Sequence, residues 1–244
     1  MPNIYLSPST QEWNPYVIGG TEEYYMNLLA DALEPYLRAN AIHFTRNTPD
    51  MTAASSIRQS NQGNYDLHLA LHSNAAPENR AGMVRGSEMY YYPSSVNGQR
   101  LATLLADEFR EIYPIPDRVR IMPTTSIGEV RLTKAPSVLM EVAYHDNTED
   151  ANWIVNNITT MAESIGKALA EYFGTPFASP VAPWTGTVIT TGGPLNIRSA
   201  PSLSGEVVNQ ASNGDQLTVV GQIGEWYTVE YGPTMGFASA NYIR

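Results

Sequence analysis

The 244-residue chain contains no cysteine. That absence removes disulfide frameworks, thiolate zinc sites, iron–sulfur clusters and cysteine nucleophiles together. Histidine is scarce too: four residues, so any metal must rely on those few imidazoles and on Asp, Glu or weaker oxygen donors. Positive charge is short, with 14 Lys and Arg against 24 Asp and Glu and a net charge of −10. Proteins that bind nucleic acid or an anionic membrane non-specifically carry the opposite balance, so neither partner is expected. No run approaches the ~20 apolar residues of a membrane span. The opening MPNIYLSPS has no basic residue and no apolar h-region, and reads as the start of a strand and not as a secretory leader.

What remains is ordinary globular material, 43% hydrophobic and 16% charged, long enough for two cores. Residues 174–184, GTPFASPVAPW, combine three prolines with no charge and predict a linker between a domain over 1–173 and one over 185–244. Before it, strand and helix periods alternate. Strands are expected at Asn3–Leu6, Ile42–Thr45, Asp66–Leu71, Ser87–Tyr92 and Ser137–Val142. Thr21 precedes Glu22 and Glu23 as an N-cap precedes first-turn acids, and Tyr25, Leu28, Leu29, Ala32, Leu33, Tyr36 and Leu37 follow at helical spacing. Pro35 should kink or shorten that helix. Leu101–Ile112, opened by Asn97, and a stretch from Thr148 to Tyr172, broken near 156–157, are the other helices. Alternation of this kind predicts an α/β fold, a mostly parallel sheet flanked by helices. The last 61 residues hold only short β-like runs between Gly, Asn and Pro turns, which predicts a second, small all-β barrel.

In such sheets ligands bind beyond the carboxyl ends of the strands. Three segments sit there: Ser7–Gln11, His72 after LALHSN, and Glu141 in VLMEVAYHDN. Glu23, in the first turn of the first long helix, can lie on the same rim. A carboxylate and an imidazole suit a zinc ion, and a second carboxylate can activate its water. An acid inside the apolar run SVLMEV needs a reason to be there. His68 shares a strand face with His72, and His43 and His68 both read as structural.

Residues 3–173 resemble the zinc-dependent N-acetylmuramoyl-L-alanine amidases of bacteria, the type-3 family, which cleave the amide between the muramic acid lactyl group and L-alanine of peptidoglycan. Five stretches carry the resemblance in family order: EYYMNLLADAL, HFTRNTPD, IRQSNQGNYDLHLALHSNAA, GSEMYYYPSS and APSVLMEVAYHDNTEDANWI. The resemblance implies Glu23 and His72 as zinc ligands and Glu141 as the catalytic carboxylate. It implies Asn74, Gln11 and Arg131 as substrate-contacting residues, with Tyr90, Tyr92 and Glu129 also near the rim. One element is missing. Where the family has D-x-G-H-G-G, this chain reads SPSTQ, with Thr10 in place of the first ligand histidine. His145 is the candidate replacement, with Gln11, Thr10 or water as the other options. The loss also leaves open a non-catalytic, peptidoglycan-binding pseudo-amidase, or hydrolysis of a different amide.

Residues 185–244 resemble a bacterial SH3-like domain through LNIRSAPS, GDQLTV, WYTV and GFASANYI, which implies tethering to peptidoglycan. A wall hydrolase without a leader is expected to be an autolysin released from a mother cell or a phage endolysin. The other expectation is an exported protein whose leader lies outside this chain.

Overall fold

A computed structural model describes all of residues 1–244. The elements run β1 (Asn3–Pro8), α1 (Glu22–Ala39), β2 (His43–Arg46), α2 (Ala53–Gln62), β3 (Leu67–Asn74), β4 (Ser87–Tyr91), α3 (Val96–Ile112), β5 (Val119–Pro123), α4 (Gly128–Arg131), β6 (Ser137–Tyr144), α5 (Thr148–Asn156) and α6 (Ile158–Phe173). Six strands follow: β7 (Ser179–Thr187), β8 (Leu195–Arg198), β9 (Val207–Ala211), β10 (Gln216–Ile223), β11 (Trp226–Tyr231) and β12 (Thr234–Ser239).

The chain divides into two compact units. The first, Asn3–Leu33 with Phe44–Tyr172, contains the sheet β2-β1-β3-β6-β4-β5 apart from His43, the first residue of β2. The pairs β1–β3, β3–β6 and β4–β5 are parallel, while β4–β6 is antiparallel, so the sheet is mixed and mostly parallel. Leu67 to Ser73 of β3 are all buried, which marks a central strand covered on both faces. α3 lays Leu101, Leu105 and Phe109 into the core; each contributes roughly 2 kcal/mol by burial.

Two helices start slightly earlier than expected, α3 by two residues and α5 by one. α3 is capped by Ser95, not Asn97, and α5 by Asn147, whose side chain accepts from the Glu149 and Asp150 amides. In each case a neighbouring residue of equal capping chemistry takes the role. α1 continues through Pro35 to Ala39. The helix α2 and strand β5 were not expected, because AASSIRQSNQ is mostly polar and VRIMP is very short.

The second unit is Phe173–Arg244 with Met1–Pro2 and Glu34–His43. Its antiparallel sheet, order β7-β10-β11-β12-β8-β9, closes over Val188, Ile197, Val219, Val229 and Ala238. Within it Arg38 makes a two-pronged ion pair with Glu230, at 2.7 and 2.8 Å. The proline-rich stretch expected as a linker is different in the structure: from Ser179 onward it is β7, paired with β10. Pro180 and Pro183 are tolerated because β7 is the outermost strand, where one side needs no donor.

Candidate functional site

β1, β3 and β6 run parallel, so their carboxyl ends meet at one edge. There Pro8 pairs with Leu71, and His72 lies opposite Glu141, which in turn lies opposite Glu88 of β4. Residues brought together by register in this way need no long loop to find each other.

His72, 7% exposed, is the hub. Its Nδ1 lies 2.8 Å from Glu22 Oε1, and the Gln11 amide is 3.3 Å from the same nitrogen. Its Nε2 lies 3.2 Å from Glu129 Oε2. Asn14 Nδ2 donates to Glu22 Oε2 at 2.7 Å and to Gln11 Oε1 at 3.1 Å. On the other side, Ser7 Oγ donates to Glu129 Oε1 at 2.5 Å, and His68 Nε2 is 3.2 Å from that oxygen. His68 Nδ1 closes the chain on Ser60 Oγ at 3.0 Å.

The electrostatics follow from this clamp. Burial works to raise Glu22, but the hydrogen bonds from His72 and Asn14 and the His72 charge outweigh it and hold the carboxyl below its ordinary range. Burial likewise opposes ionisation of Glu129, and His68 and His72 overcome it, leaving it well below the usual carboxylate range. Burial disfavours a charged His72, yet hydrogen bonds to Glu129 and Glu22 hold its pKa well above the ordinary value. Glu141 is the opposite case. Its Oε2 is buried with no hydrogen-bond partner, and burial, reinforced by Glu22, Glu88 and Glu129, pushes it up to about 8. Glu88 accepts from Asn74 Nδ2 at 3.2 Å and from Tyr90 OH at 2.7 Å.

The sequence-derived candidates are placed as follows. His72, Glu141 and Gln11 meet at the rim, and Asn74 stands beside Glu88. Glu23 does not reach His72; its neighbour Glu22 does, and Asn27 Nδ2 donates to the backbone carbonyls of Glu23, at 2.8 Å, and Ser9, at 3.3 Å. The cause is the loop before α1: Glu22 N donates to Asn14 O at 2.9 Å, which turns the first of the two acids inward. His145 is buried but engaged elsewhere, with Nδ1 3.1 Å from Ser73 Oγ and 2.9 Å from Ser73 O, and its ring stacked on Tyr16. Arg131 is exposed at the end of α4 and touches none of these groups. Glu129 and His68 are the residues sequence reasoning undervalued. The one available signal was that His68 and His72 share a strand face, so a single acid can bridge them.

No group of three or more His, Cys, Asp or Glu side chains is arranged to hold a metal ion. The atoms that converge on one point are Glu22 Oε1 and His72 Nδ1, with the Gln11 Nε2 amide nitrogen, a hydrogen-bond donor, on the same nitrogen while Gln11 Oε1 accepts from Asn14. Glu129 serves the opposite ring nitrogen. Carboxylates stand at both ring nitrogens of His72, and the buried Glu141 Oε2 has no hydrogen-bond partner, so the rim carries buried negative charge that a cation would offset. A cavity of about 210 Å³ opens on His72 and Glu129, with Ser9, Gln11, Asn47 and the 67%-exposed Trp13 along it. The second unit has its own cavity of about 420 Å³, lined by Arg198, Leu203, Trp226 and Tyr242.

A mixed, mostly parallel sheet with an acid- and imidazole-lined rim is the build of a hydrolytic α/β domain. The profile of the N-acetylmuramoyl-L-alanine amidase family matches residues 8–171, and that of the bacterial SH3 domain matches residues 193–244. The chain belongs to the N-acetylmuramoyl-L-alanine amidase family. Its fold is that of solved members. The amidase AmiC2 of Nostoc punctiforme superposes at TM-score 0.62 with 18% identity, over 70% of this chain and 97% of that one. An amidase from Clostridium difficile 630 gives 0.64 at 16%, over 70% and 96%. The catalytic domain of the CD27L endolysin, which targets Clostridia difficile, gives 0.58 at 20%, over 70% and 98%. Among curated proteins, Bacteriocin BCN5 of Clostridium perfringens is 28% identical over 90 residues, 37% of this chain and 10% of that protein. The match thus spans about a tenth of that relative's length.

Proposed function

We propose that the first unit hydrolyses the amide between the muramic acid lactyl group and L-alanine in peptidoglycan, with Glu141 as the proton-transfer group. The single observation that carries this is Glu141 itself: a carboxyl on a central strand, with a buried and unpartnered Oε2 and a pKa near the operating range of a general base. We propose further that Glu22 and His72 hold a divalent metal, zinc by family habit, with the Gln11 amide or water completing the set. When bound, such an ion polarises a carbonyl and lowers the pKa of water.

The chain's own residues supply the rest. Glu141 Oε2 takes a proton from the attacking water and delivers it to the leaving L-alanine nitrogen. Asn74 and Tyr90 fix the neighbouring Glu88, keeping that second acid hydrogen-bonded beside Glu141. Trp13 offers an exposed ring at the cavity mouth against which a sugar face can lie. The second unit contacts the wall through the cavity at Trp226 and Tyr242. A non-catalytic wall-binding role is disfavoured, because a relic has no use for an acid held in this environment. No helix is long and apolar enough to cross a membrane.

The test is release of free L-alanine amino groups from purified sacculi by the full chain and by Glu141→Gln. Loss of about 10²-fold or more is expected; unchanged release would end the assignment.

A further inference from the structure

The start of α2 leaves two backbone donors free. Thr52 and Ser55 form a reciprocal cap: Ser55 N donates to Thr52 Oγ1 at 3.2 Å, and Thr52 N donates to Ser55 Oγ at 2.8 Å. An α-helix begins with four N–H groups that have no partner inside it, and this cap satisfies two. The amides of Ala53 and Ala54 remain, on exposed residues, and the first turn holds no acid to answer the helix dipole. Asp50, ahead of the cap, accepts from Thr48 Oγ1 instead.

An independent feature lies beside them. Asn47 is 3% exposed, and its Nδ2 donates to Pro8 O and to Ser56 Oγ, each at 3.0 Å. The Pro8 carbonyl can only accept, which sets the orientation of the amide. Asn47 Oδ1 is then buried with no partner, an acceptor that burial penalises until something donates to it. Asn47, Thr52, Ala53 and Ser56 line the cavity that opens on His72. Its only acid and imidazole, Glu129 and His72, bond each other at 3.2 Å, so the neutral donors of α2 are what an anion finds free.

We propose that this end of the cavity is a substrate subsite for a peptide residue with a free α-carboxylate. The carboxylate accepts from the Ala53 and Ala54 amides, and the N–H of the same residue donates to Asn47 Oδ1. The inference rests on the amidase reading and specifies the stem peptide on the leaving-amine side, which that reading leaves open. The donor set selects the class. Backbone amides at a helix start suit an oxyanion, a buried amide oxygen suits an N–H, and an amino-acid residue carries both groups on one carbon. A sugar hydroxyl could fill the acceptor but brings no charge to the helix end. Asn47 and the α2 amides therefore govern specificity and take no part in bond making.

The experiment is steady-state hydrolysis by the full chain of two soluble N-acetylmuramoyl dipeptides. They differ only in the α-carboxylate of the second residue, free in one and amidated in the other. The wild type should show a KM about 10-fold higher for the amide, with kcat within about 2-fold. Ala53→Pro deletes one of the two N–H groups and spares the helix, because proline suits the first helical position and Thr52 before it is already extended at φ −117° and ψ 161°. In that variant KM for the free carboxylate should rise about 3–10-fold while KM for the amide stays within about 2-fold. The wild-type comparison decides alone if Ala53→Pro does not fold. Equal KM values in the wild type, an undiminished preference in folded Ala53→Pro, or turnover of sacculi but of neither dipeptide overturns the proposal and leaves the amidase reading standing. Turnover of neither sacculi nor dipeptides removes the amidase reading, and this inference with it.

Discussion

Glu22 Oε1 stands 2.8 Å from His72 Nδ1, although 50 residues separate them in the chain. Glu23, one position on, makes no such contact, so the two adjacent acids give opposite expectations. Glu22→Gln should abolish stoichiometric metal uptake and lower turnover by about 10²-fold or more, as loss of a group that orients the reacting centre does. Glu23→Gln should stay within about 2-fold of wild type, because the half-buried Glu23 makes none of the contacts that Glu22 makes. Metal content and sacculus hydrolysis measured side by side decide it. Equal loss in both variants would mean that the inward turn of Glu22 is not the functional one.

Glu141 links activity to stability through pH. In the metal-free protein its folded pKa of about 8 lies above its ordinary 4.5. Between those values the folded state holds a proton that the unfolded state has released, so stability falls as pH rises through the window. Below it both states are protonated and the penalty vanishes; above it the penalty is complete. Glu141→Gln, measured in chelator, should therefore raise Tm at pH 8.5 and leave it nearly unchanged at pH 4. A Tm difference that is flat across pH would contradict the burial of this carboxyl.

His145 and Asp150 are predicted to matter for stability and not for metal. His145→Ala removes a ring stacked on Tyr16 and bonded to Ser73, at a cost of about 1–3 kcal/mol, with zinc stoichiometry intact. Asp150 is fully buried and accepts from Arg85 Nε at 2.8 Å, Tyr113 OH at 2.7 Å and the Gly86 and Tyr144 amides. Asp150→Asn strips the charge from that knot and should cost about 3 kcal/mol in chemical denaturation. Loss of bound zinc in His145→Ala would restore that residue as a ligand.

Tyr242 is 48% exposed on the wall of the larger cavity. Tyr242→Ala should weaken pelleting with sacculi several-fold while leaving hydrolysis of a soluble muramoyl-peptide untouched. Unchanged pelleting would place wall contact elsewhere.

The strand carrying Glu141 and the face shared by His68 and His72 were legible in the sequence, because period-two alternation and a lone acid in an apolar run are local signals. The choice between Glu22 and Glu23 was not, since both satisfy the first turn of a helix and only the Asn14 carbonyl decides which turns in. Glu129 was harder still. It sits on a single helical turn with no periodicity, and its importance comes from His68 and His72, 57 residues and more away. Likewise SPVAPWT has the composition of a linker, and only its pairing with β10 makes it a strand.

That strand has a consequence for how the second unit meets its ligand. β7 is a border of the sheet, and two of its residues, Pro180 and Pro183, have no amide hydrogen to offer. An extended peptide arriving along this flank finds an interrupted ladder and cannot be zipped on as a further strand. The same interruption protects neighbouring copies from stitching together edge to edge in a crowded wall. Recognition along this flank must then work by side chains closing on a segment, one pocket at a time, and not by main-chain annealing, while β9, which has no proline, forms the other border.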